Sequence, residues 1–159
     1  MPERVGLLAD ATLPNRFADR PAREAFGGTL FRLRREYATR FLDRWYVLSA
    51  DCGLLAPDEC YRPPAEPRCV VRGGAAFRRV WAQEVLARLR PRLPAGSEVV
   101  FLAGLPYSVQ LAGPLRAAGH PVTRPAAGLS MGGQLAWLVA RLEAGAPPAQ
   151  GARPPAQAT

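Results

Sequence analysis

Two acids, Asp10 and Asp51, each follow an apolar run that reads as a buried strand. The runs are Arg4-Val5-Gly6-Leu7-Leu8-Ala9 and Trp45-Tyr46-Val47-Leu48-Ser49-Ala50. An acid at the end of such a strand places a carboxylate at the carboxyl edge of a sheet, where open α/β sheets bind ligands. Two carboxylates held close together can divide into an acid and a base, because like charges push their pKa values apart. One of the two could then activate a water as a general base. Asp51 is the candidate carboxylate and Asp10 its partner. Ser49 and Gln134 are candidates for hydrogen bonds to base or sugar, and Gly53 for a permissive backbone beside them. Tyr107 or Phe26 could stack a base, a contact that tolerates many sequences. Arg16, Arg23 and Arg32 are candidates for steering phosphates. The alternative is a non-catalytic nucleic-acid-binding or protein-assembly module on the same fold, in which Asp51 and Gly53 supply only turn chemistry.

Composition bounds these readings. The 159 residues make one domain able to bury a core, and the formal net charge is +8. That excess favours polyanions, so nucleic acid or nucleotide is the expected partner. Every basic side chain is arginine; the chain contains neither lysine nor isoleucine, and with its many Ala, Gly and Pro residues it suggests a GC-rich bacterial genome. The absence of lysine excludes a lysine Schiff base, a Walker-type phosphate loop and a lysine-based lyase step. Three cysteines (Cys52, Cys60 and Cys69) and one histidine (His120) fall at loose spacing without a CxxC pair, so no metal and no cofactor is expected. Reduced thiols and a cytoplasmic location are expected, with no signal peptide and no run long enough to span a membrane. The oligomeric state is left open.

The elements that must hold these residues alternate along the chain. After the first strand, Asp10 to Gly28 reads as a long loop containing Pro14, Pro21 and Gly27-Gly28. A helix is expected over Leu30–Leu42, with Leu30, Leu33, Tyr37 and Phe41 as its buried stripe and Thr29 as its cap. The Trp45 strand then turns at Ser49 to Gly53, and Tyr61 to Gly74 forms a second long loop. Ala75–Arg90 is a helix with Phe77, Trp81, Val85 and Leu89 along one face. Glu98–Gly104 is a further strand, Tyr107–Ala118 a helix closed by Gly119, and Pro121–Thr123 a short strand. Gly128–Gln134 leads into a final helix through Leu142, and 145–159 is an Ala/Pro/Gly-rich tail expected to be disordered. Alternating strands and helices argue for a single α/β domain over 1–144, its parallel or mixed sheet of about four to five strands flanked by helices. Three strand ends then converge: Asp10, Ser49 to Asp51, and Gly104 to Tyr107.

In order and spacing these pieces resemble a family of small, uncharacterised α/β domains from bacteria, archaea and phages, distantly similar to the peroxide-stress protein YaaA and to the uracil-DNA-glycosylase-like fold. The matching pieces are Pro21-Ala22-Arg23-Glu24, Leu30-Phe31-Arg32, Trp45 to Ala50 with Gly53-Leu54-Leu55 and Pro57-Asp58-Glu59, Trp81-Ala82, Val100 to Gly104, Tyr107, and Gly132 with Gln134 to Leu138. The resemblance spans about Val5 to Leu142 and implies a nucleic-acid- or nucleotide-directed activity, with an N-glycosidase as the reaction: one strand-end carboxylate would activate a water or stabilise an oxocarbenium-like sugar while a base departs. The chain departs from the pattern at its polar positions. Ala9-Asp10-Ala11 stands where the family carries a Cys-Ser-Lys-like cluster, and Asp51 where a lysine is common. Phe26 and Gly28 replace Tyr and Ser, and Pro63-Pro64 replaces a Pro-Tyr pair.

Overall fold

A computed structural model describes residues 2–145 of the chain. Beyond Gly145, the expected tail lies outside the described residues. The first strand, β1 (Arg4–Ala9), is buried from Val5 onward and pairs in parallel with a neighbour on each side. A strand covered on both faces by helices has no reason to alternate apolar and polar residues, which explains its unbroken apolar run.

The loop after β1 is less irregular than expected. It contains a short turn of 3₁₀ helix at Leu13–Asn15 and a one-turn helix, α1 (Ala22–Ala25). Helix α2 (Thr29–Phe41) follows, and its cap is Gly28, not Thr29: Gly28 has φ 91°, which only glycine adopts readily. No side chain caps this end.

The stretch from Trp45 to Leu55 reads in sequence as one strand and a turn, but it folds into two strands. β2 (Arg44–Ser49) runs parallel to β1, and β3 (Gly53–Leu55) returns antiparallel along its outer edge, with Ser49 opposite Gly53. Ala50-Asp51-Cys52 forms the three-residue loop between them. Gly53 leaves it at φ 78°, as three-residue hairpins commonly require.

Helix α3 (Gly74–Leu89) buries Trp81, Val85 and Leu89 as its spacing predicts. Strand β4 (Glu98–Leu102) lies on the other side of β1. The single helix expected over Tyr107–Ala118 is two short ones, α4 (Leu105–Ser108) and α5 (Ala112–Ala117). Pro114 accounts for the break: it has no N–H for the Gln110 carbonyl, and its ring would clash there in a continuous helix. The short β5 (Val122–Thr123) and α6 (Met131–Ala144) complete the domain. Ser130 caps α6, its Oγ accepting from the Gly133 N–H at 3.1 Å.

The five strands are ordered β3-β2-β1-β4-β5 in one mixed sheet. One face packs on α3 and α5 through Tyr46, Leu48, Trp81, Val85, Phe101 and Leu115. The other packs on α1, α2 and α6 through Leu8, Val47, Tyr37, Phe31, Trp137 and Leu138. The chain leaves β1 to build one side of the sheet and returns to build the other. The topological switch therefore falls between β1 and β4, and a crevice opens outside their carboxyl ends. No described helix is long and apolar enough to cross a membrane.

Gly53→Ala is expected to destabilise the domain by about 1–2 kcal/mol, because alanine is strained at that φ. Urea unfolding should read this as a lower midpoint with an unchanged slope.

Candidate active site

Asp10 is the first residue past β1 and sits directly over the switch point. Its side chain is buried, and both carboxylate oxygens have defined donors. Tyr107 Oη donates to Oδ1 at 2.6 Å, and the Ala50 N–H donates to Oδ2 at 2.9 Å. Burial raises the Asp10 pKa above its ordinary value of 3.8, against the opposing pull of Arg16, Tyr107 and Ala50. Burial, reinforced by Asp10, likewise raises the Tyr107 phenol, which keeps it a donor.

Arg16 joins Asp10 to Asp51. Its side chain is 5% exposed, with Nη2 3.6 Å from Asp10 Oδ2 and Nη1 3.1 Å from Asp51 Oδ2. Nε donates to the Ala11 carbonyl and Nη1 also to the Arg68 carbonyl, each at 2.7 Å. Burial pulls this guanidinium down, but the two carboxylates hold it above its ordinary value. The two acids are therefore near one another, as expected, with a cation shared between them.

A cavity of about 780 Å³ opens beside Asp10. Its wall includes Asp10, Arg16, Arg34, Tyr107 and Gln134, the Gly27-Gly28-Thr29-Leu30 entry to α2, and the apolar side chains of Leu13, Phe31, Val71, Met131 and Leu135. Volumes of this order hold a nucleoside-sized ligand.

The other sequence candidates lie elsewhere. Asp51 does not line the cavity. Beyond Arg16, its carboxylate accepts from Tyr61 Oη and, at 2.6 Å, from the Arg68 N–H, so it anchors the second long loop. Ser49 is fully buried: its Oγ accepts from the Cys52 N–H at 3.0 Å and its carbonyl from the Trp81 indole at 2.8 Å. Gly53 is buried in the hairpin. Phe26 packs against Phe31 and Tyr61 in the core, leaving no free ring face for a base. Arg23 pairs with Asp58 on the surface, and Arg32 is exposed on α2. Only Asp10, Arg16, Tyr107 and Gln134 of the predicted set face the cavity.

Arg34 is the residue that sequence reasoning missed. It is 6% exposed and lines the cavity. Nη2 donates to Gln134 Oε1 at 2.7 Å, and Gln134 is itself held by the Leu129 carbonyl at 3.3 Å. Among the described residues no carboxylate lies within ion-pair distance of Arg34, and Nε and Nη1 have no acceptor. Burial pulls its pKa down to about 10, against the opposing pull of Tyr107 and Asp10. A signal was available, since Arg34 stands four residues after Leu30 and three before Tyr37. It therefore falls inside the apolar stripe of α2, and a charge there is buried.

The fold and this cavity define the chain as an α/β domain with a ligand crevice at the switch point of its sheet. Residues 14–140 match the model of a family of unknown function, DUF6884, and the chain belongs to that family. This agrees with the resemblance to an uncharacterised domain family. No curated protein and no solved structure matches the chain.

The two buried arginines should respond oppositely to the same substitution. Arg16→Met leaves two buried carboxylates facing each other and is expected to cost about 3–5 kcal/mol. Arg34→Met removes a buried charge that lacks a direct ion pair. It is expected to stabilise the ligand-free protein by about 1 kcal/mol or more at neutral pH, where Arg34 is charged. Guanidinium unfolding of both variants tests the contrast.

Proposed function

We propose that the domain is nucleotide-directed and hydrolyses an N-glycosidic bond, with Asp10 as the working carboxylate. The observation that carries this reading is Asp10 itself. It is buried at the carboxyl edge of the sheet, lines a nucleoside-sized cavity, and has its proton affinity raised by burial. The basic net charge and the resemblance to YaaA and the uracil-DNA-glycosylase-like fold point the same way.

In the reaction, the bond between C1′ and the base nitrogen breaks and its electron pair leaves with the base. The ionised Asp10 stabilises the positive charge that develops on C1′ and the ring oxygen. As water adds to C1′, Asp10 takes one of its protons, and that proton then passes to the departed base nitrogen. The products are free base and free sugar hydroxyl. A carboxylate with a raised pKa is a stronger base for the water. The donors from Tyr107 and Ala50 hold its plane and Arg16 pairs with Oδ2, which leaves the further lone pair of Oδ1 for the water. Asp51 is a positioning residue that acts through Arg16.

Mass spectrometry for free base, after incubation with nucleosides, nucleotides, DNA and RNA, tests the reading. Asp10→Asn is expected to lower base release by roughly 100- to 10,000-fold with the fold intact. Because the base form must be ionised, kcat/KM should rise with pH through the native pKa of Asp10, above the ordinary 3.8. No release from any member of the panel by the folded wild type would instead mark a binding module.

A further inference from the structure

The Arg34 end of the cavity has no part in the chemistry proposed for Asp10. Among the described residues, its buried guanidinium has a neutral amide as its hydrogen-bond partner, and the Asp10 carboxylate acts on it only from beyond ion-pair distance. A buried cation without a direct ion pair is costly, and it persists where something supplies the anion. The entry to α2 faces the same space through Gly28, Thr29 and Leu30, with no side-chain cap. The first N–H groups of a helix are unpaired donors at the positive end of its dipole. A planar guanidinium fork that lines the same cavity as such a helix start is suited to a phosphate.

Depth argues for the kind of phosphate. Arg34 is 6% exposed, whereas Leu13, Val71 and Met131, which line the same cavity, are 50%, 57% and 65% exposed. The mouth is thus largely apolar, with Arg72 as an exposed cation at the rim, while Arg34 lies within. Proteins that track a polynucleotide backbone do the reverse, laying charge along an open groove that the strand enters and leaves. A phosphodiester carries chain on both sides and would have to thread past the largely apolar rim twice. A terminal phosphomonoester enters once, phosphate first.

We infer that the cavity selects a phosphomonoester, its phosphate seated on Arg34 and the α2 N-terminus. Given the nucleoside reading above, on which this part rests, the substrate is a free nucleoside monophosphate rather than DNA or RNA. The sugar then lies beside Asp10 and Tyr107, and the base lies toward Leu13, Val71 and Met131. Gln134 is a positioning residue that orients the Arg34 fork.

Calorimetric titration of the full chain tests this. The probes are ribose 5-phosphate, ribose, the common nucleoside 5′-monophosphates, their nucleosides, and a short single strand with hydroxyls at both ends. The wild type should bind each phosphomonoester about 10- to 100-fold more tightly than its unphosphorylated counterpart. The hydroxyl-ended strand should bind no better than the nucleosides. Arg34→Met and Arg34→Gln should abolish the phosphate preference, and either suffices if the other fails to fold. Equal binding with and without phosphate, a preference that survives both substitutions, or tight binding of the hydroxyl-ended strand would each overturn the inference. The glycosidase reading fails separately. Arg34-dependent binding of ribose 5-phosphate without base release from any nucleotide sustains the phosphate site alone. Base release from strands at the rate seen with monophosphates sustains the reaction and removes the phosphate selection.

Discussion

The buried guanidinium of Arg16 is the contact on which the site depends. It lies between Asp10 and Asp51, whose carboxylates come from the ends of two adjacent strands. Without a cation there, both acids would be buried next to like charge, and neither could ionise cheaply. The remaining Arg16 donors go to the carbonyls of Ala11 and Arg68, so one side chain ties the loop after β1 to the loop after β3. Asp51 reinforces the tie by accepting from Tyr61 and from the Arg68 N–H. The cavity wall is made of these same loops. Its shape is therefore coupled to an ion network that it only partly exposes.

The charges of the site divide by function. Asp51 lies outside the cavity with all its partners within the protein, and Arg16 joins it to Asp10. Asp10 and Arg34 line the cavity, one with its proton affinity raised by burial and the other with it lowered. Burial acts on both in the same physical sense, since it disfavours whichever form is charged. A ligand that brings an anion to Arg34 and a developing cation to Asp10 would relieve both at once. Residues of this kind weaken the empty protein and strengthen the occupied one, a common trade between stability and activity.

The expected elements follow their apolar periods closely. β1, β2 and β4 stand where the buried runs place them, and α3 buries the face its spacing predicts. The departures have local causes. Pro114 divides what reads as one helix, and Gly28 displaces Thr29 as a cap because the chain enters α2 from a positive φ. The edge strand β3 could not be read from three residues, because its pairing with β2 is set by the hairpin loop and not by any period of its own. Among the candidate residues, Asp10, Arg16, Tyr107 and Gln134 line the cavity, while Phe26 and Ser49 are taken up by the core.

The sequence by itself determined the α/β class, the buried strands, and the placing of acids at the carboxyl ends of two of them. Hydrophobic period and turn chemistry are local properties that each segment carries alone. Only the tertiary structure decided which acid borders the cavity and which lies outside it. Asp10 and Asp51 look alike in sequence, each a single acid after an apolar run. The difference is that the loop from Tyr61 to Arg68 folds over Asp51, while Asp10, held by Tyr107 and the Ala50 N–H, borders the cavity. Arg34 was likewise visible as a charge in an apolar stripe. That it meets a cavity and not a carboxylate depends on where α6 packs against α2 and sets Gln134 opposite it. Long-range packing assigns partners to polar groups, and no window of sequence contains that information.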